Sequence, residues 1–111
     1  MSNFVIEEFK VYKVFLVSGN ANEASIHIKL PSGIAVIRFL HGKLPSNEVV
    51  TKGEGKNLYK VHASANNYPF YIDIVRNEGP LFFFYDLDDN LSYITTSEEP
   101  VGEGEQNFIA V

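Results

Sequence analysis

Asp86-Leu87-Asp88-Asp89-Asn90 sets three oxygen-bearing side chains, Asp86, Asp88 and Asn90, at alternate positions, as the first half of a calcium loop does for a hard cation. The second half departs from that pattern. Leu91 stands where the sharp turn calls for glycine, and Ser97 stands where a bidentate glutamate closes the coordination shell. Asp and Asn are also the residues of tight turns, so the segment reads as a hairpin turn. His27, His41 and His62 supply imidazole at spacings that match no metal site, and His27 alternates with Ser25 and Lys29 as an exposed strand residue does. Lys52-Gly53-Glu54-Gly55-Lys56 lacks the spacing of a phosphate-binding loop and carries a glutamate that repels phosphate. No serine occupies a nucleophile elbow, and the chain has no cysteine to act as a thiolate, bridge a disulfide or ligate zinc. The expectation is a non-enzymatic protein without metal or other cofactor.

Aromatic side chains carry the stronger signal. In Leu81-Phe82-Phe83-Phe84-Tyr85, a strand sends Leu81, Phe83 and Tyr85 to one face and Phe82 and Phe84 to the other, so both faces are bulky and apolar. In a small sheet with one core, one face normally meets water. The second face of this strand must then be closed either by the chain's own helix or by another subunit or a ligand. The leading functional expectation is a protein-interaction module that self-associates, as a homodimer, through Leu81 to Tyr85. A small-ligand-binding barrel, its mouth lined by Tyr12, Tyr59, Tyr68, Tyr71 and Tyr85, is the alternative, because tyrosine joins apolar area to a hydrogen-bonding tip. An uncharacterised small enzyme is the third reading.

Charge narrows the partners. Residues 1–76 hold nine basic and six acidic residues, a balance of +3, whereas residues 77–111 hold eight acids and no Lys or Arg, a balance of -8. The sum, -5, and the acidic final third disfavour nucleic acid, whose binding rests on concentrated positive charge. They favour a basic partner or the basic part of a second copy. No apolar run approaches the roughly 20 residues of a membrane helix, and Met1-Ser2-Asn3-Phe4 does not open a signal peptide, so a cytoplasmic address is expected. Asn90-Leu91-Ser92 is a glycosylation sequon only in form without such a signal.

The elements that would position these residues are mostly strands. A strand is expected from about Phe9 to Val17, starting nearer Phe4 in its longest form, and it ends at Ser18-Gly19-Asn20. Alternation in Ile26, Ile28, Leu30 and in Ile34, Val36 marks a hairpin, Ala24 to Leu30 and Ile34 to Leu40, turning at Pro31-Ser32-Gly33. Val49 to Thr51 and Leu58 to Ser64 follow as strands. From Tyr68 to Gly79 the apolar residues fall on one arc at helical spacing, with Pro69 near the start and Gly79-Pro80 past the end, which predicts a short helix. Leu81 to Leu87 and Leu91 to Thr96 make a second hairpin. The fold expected is mainly β, an antiparallel barrel or small sandwich of six or seven strands with one short helix. Residues 1–97 form one domain. Residues 98–111 form an acidic Gly/Glu arm whose apolar end, Asn107 to Val111, is a candidate terminal strand.

Overall fold

In the computed structural model, residues 4–17 and 23–96 are described. The acidic arm 98–111, its candidate terminal strand and the loop after Val17 as far as residue 22 lie outside the described residues. Eight strands and one α-helix follow in the order β1 (Phe4–Phe9), β2 (Tyr12–Val17), β3 (Glu23–Leu30), β4 (Gly33–Leu40), β5 (Glu48–Gly53), β6 (Lys56–Ser64), α1 (Tyr68–Asn77), β7 (Leu81–Asp86) and β8 (Leu91–Thr95). The protein is mainly β, with its strands in two sheets. One sheet has three strands in the order β1-β7-β8 and the other has five in the order β2-β3-β4-β6-β5. Both orders have open ends, so these strands close no barrel.

Two expectations are corrected by this topology. The single strand from Phe9 to Val17 is two strands in different sheets: β1 pairs with β7 and β2 with β3, and only Lys10 and Val11 lie between them. The sheets are also not wholly antiparallel, because β4 and β6 run parallel, with Ile34 opposite Leu58 and Arg38 opposite His62. The chain reaches that pairing by placing β5 on the outer edge, antiparallel to β6, and returning. The expected hairpin β3-β4 and the hairpin β7-β8 are both present.

Alternation decides which side chains are buried. Ile26, Ile28, Leu30, Ala35, Ile37, Phe39, Tyr59, Val61 and Ala63 of the larger sheet face Phe9, Leu81, Phe83 and Tyr85 of the smaller in one core. Tyr59 joins the layers, its ring centroid 5.4 Å from Phe83 and 5.6 Å from Tyr85. Gly33 is fixed by the tight β3-β4 connection: its φ is +149°, and a Cβ there would collide with the Asn57 backbone carbonyl of β6.

The helix forms where the sequence places it, with Pro69 in its first turn and Arg76 in its last. A short 3-10 turn, Ala65–Asn67, leads into it, and the Ser64 hydroxyl caps that turn by accepting from the Asn66 amide. The buried face of α1 centres on Val75, and Tyr68 and Tyr71 meet Phe39 edge to face at 5.1 and 5.0 Å. Since Phe39 points into the core, the helix closes that core from the inside. It is not the cover for Phe82 and Phe84. No described helix is long and apolar enough to cross a membrane.

Candidate functional site

The register of the smaller sheet sorts its residues into two rows. Val5, Glu7 and Phe9 share the inward row with Leu81, Phe83 and Tyr85. Phe4, Ile6 and Glu8 share the outward row with Phe82, Phe84 and Asp86, and β8 adds Leu91 and Tyr93. The outward row holds a run of rings: Phe4 stacks on Phe84 at 5.4 Å, and Tyr93 meets the other side of Phe84 at 4.9 Å. Phe84 is half-buried by these neighbours, while Phe4, Ile6, Leu91 and Tyr93 are between 41 and 51% exposed. Such apolar exposure on one sheet face is the form of an association surface. Of the five residues singled out by sequence, Leu81, Phe83 and Tyr85 are core, and Phe82 and Phe84 belong to this face.

The larger sheet presents a different outward face. A groove of about 650 Å³ crosses it, bounded by Lys13, Lys29, Lys52 and Lys56. Its apolar floor includes Phe15, Ile34 and Leu58, and Phe15 packs on the His27 ring at 4.4 Å. Away from the groove the cations of this face are paired. Arg38 meets Glu23 at 2.6 Å and Lys60 meets Glu48 at 3.3 Å, whereas the four groove lysines make no ion pair among the described residues.

Two polar chains tie the sheets together. Asn57 Nδ2 donates to the Tyr59 hydroxyl (3.3 Å), and that hydroxyl lies 3.1 Å from Ser32 Oγ, which donates to Glu7 Oε1 at 2.8 Å. The Ser32 amide donates to the same carboxylate oxygen (3.2 Å). With Ser32 giving its proton to Glu7, the proton between the two hydroxyls comes from Tyr59. The second chain runs from Tyr85, whose hydroxyl donates to Asn90 Oδ1 (3.0 Å). Asn47 donates to the Asn90 carbonyl and accepts from the His62 amide, both at 2.8 Å. Burial pushes the Tyr85 phenol above a tyrosine's ordinary 10.0, and the charge of Glu48 adds to the shift.

Comparison with protein-family models, curated proteins and solved structures finds no match.

The other residues marked by sequence take ordinary structural places. Asp86 Oδ1 accepts from the Asp88 and Asp89 amides (2.9 and 3.2 Å), an Asx turn, and Asn90, with φ +57°, turns its amide oxygen to Tyr85. His27 and His62 share the outward face of the larger sheet, but β4 separates them and they sit at different levels, opposite Val36 and Arg38. His41 lies in the connection after β4. Among the described residues no three His, Asp or Glu gather as metal ligands. The five tyrosines divide into three places. Tyr59 and Tyr85 meet in the core, Tyr68 and Tyr71 flank Phe39, and Tyr12 alone of the five borders the groove.

Sequence reasoning found the outward aromatics through alternation. It missed the groove and the Glu7-Ser32-Tyr59 chain, because both depend on strand neighbours. The one available signal was the alternation of Lys13 with Phe15 and of His27 with Lys29, which puts cations and rings in the same outward row.

Proposed function

We propose that this protein is a small two-sheet sandwich that works as a non-enzymatic interaction module and self-associates through the outward face of β1, β7 and β8. The observation that carries this reading is Phe84, set between the rings of Phe4 and Tyr93 on a face that α1 does not cover. Burying a phenylalanine contributes about 2 to 3 kcal/mol, so a face with four large apolar residues, each over 40% exposed, gains substantially from a matching surface. The small-ligand reading draws its support from the groove, which takes in Tyr12 and none of the other four tyrosines.

Sedimentation velocity over a concentration series tests the reading. Wild type should show concentration-dependent association, and Phe84→Glu should be folded by circular dichroism and monomeric. Ile6→Asn with Tyr93→Asn, at positions 41 and 49% exposed, gives a second variant with little burden on folding. A wild type that is monomeric throughout, or a double variant that associates as wild type does, overturns the reading.

A further inference from the structure

The two outward faces lie on opposite sides of the shared core, because the two sheets bury their inward rows against one another. The aromatic face carries Glu8 and Asp86 beside its rings and has no cation in its outward row. The groove face carries Lys13, Lys29, Lys52 and Lys56 around an apolar floor, with no acidic residue in its lining. Both faces therefore offer apolar area, and each carries the charge sign that the other lacks. We infer that the aromatic face of one copy docks on the lysine-rimmed groove of the next, so that copies join head to tail. This rests on the proposed self-association and names its second surface.

Two copies of the aromatic face meeting each other would bring Glu8 and Asp86 against like charges, which disfavours that arrangement. The head-to-tail contact sets those carboxylates against lysines that have no ion pair among the described residues. It is heterologous, so every added copy leaves one groove and one aromatic face open, and growth continues beyond a dimer unless the rotation closes a ring. Salt also separates the two arrangements. Screening at ~0.5 M weakens the head-to-tail contact and relieves repulsion in the face-to-face one.

The test uses two variants of the full chain: Lys29→Glu with Lys52→Glu for the groove, and Ile6→Asn with Tyr93→Asn for the aromatic face. All four positions are exposed, and circular dichroism and melting check that each variant is folded. Each variant should be monomeric alone, and an equimolar mixture should give a 1:1 heterodimer of twice the monomer mass, since the mixture holds one intact surface of each kind. A groove variant that assembles as wild type does, beside a monomeric face variant, overturns the head-to-tail contact and leaves self-association through the aromatic face standing. If the face variant assembles unchanged, both readings fall. Two monomeric variants that do not rescue each other overturn the head-to-tail contact. So does a groove variant with unchanged assembly and faster proteolysis beyond Thr96, which would assign the groove to the chain's own acidic segment.

Discussion

The five-stranded and three-stranded sheets use their outward rows in opposite ways. On the larger sheet, Glu23 neutralises Arg38 and Glu48 neutralises Lys60, so much of the row is settled within the chain, and the described lysines of this sheet that make no ion pair are those of the groove. The smaller sheet sends Phe4, Ile6, Phe84 and Tyr93 outward with no such internal settlement. The inward rows of both sheets are alike in being mainly apolar, the carboxylate of Glu7 being held there by Ser32. Stability is therefore stored in the inward rows, and the difference between the sheets is a difference in what they offer to other molecules.

The sharpest way to break that division is to truncate neighbours on one strand. Phe83→Ala, inward and fully buried, should cost about 3 to 5 kcal/mol, whereas Phe84→Ala, outward and half-buried, should cost well under half as much in the monomer. Urea unfolding of both variants at low protein concentration measures it, and equal losses would abolish the distinction between the rows. Gly33→Ala should follow at about 1 to 3 kcal/mol, because φ of +149° and the Asn57 carbonyl both oppose a side chain. Its melting temperature should drop while Gly42→Ala, in open space but also at positive φ, drops less.

Ser32→Ala tests the link between the sheets and should cost about 1 to 3 kcal/mol, since it removes a donor to Glu7 and the partner of Tyr59. A loss matched by Ser25→Ala, whose hydroxyl has no part in that chain, would show the link to be unimportant. The smallest effect is expected in alkali. Burial raises the Tyr71 phenol above 10.0 in the folded protein, so above about pH 10 the unfolded chain releases a proton that the folded chain keeps. Stability should be flat below that pH and fall as the pH climbs through 10 toward the raised folded value. Tyr71→Phe should flatten part of the fall, and a slope unchanged in that variant would assign it elsewhere.

The sequence made the β3-β4 hairpin legible because alternation and the Pro31-Ser32-Gly33 turn agree on register. The helix was legible for a similar reason: Pro69, Gly79-Pro80 and the apolar arc all point the same way. The break at Lys10-Val11 was not, since Phe4 to Val17 is rich in β-formers and contains no Gly or Pro to interrupt it. Parallel pairing of β4 with β6 was also invisible, because an intervening hairpin partner, β5, is the simpler reading of the same residues. Alternation separated Phe82 and Phe84 from Phe83. The groove draws residues from Val11 to Leu58, and no local spacing in one strand could show that β2, β3, β4 and β6 place them side by side.

Pairing of the first strand with the seventh has a consequence during synthesis. All strands of the larger sheet have been made once Ser64 has left the ribosome, and each has its partner by then. β1 emerges before all of these, yet Phe9 meets Leu81 and Phe4 meets Asp86 only after a further stretch of chain is translated. For that interval Phe4, Val5, Ile6 and Phe9 lack the strand they pair with, an apolar stretch open to chaperones and to neighbouring chains on the same messenger.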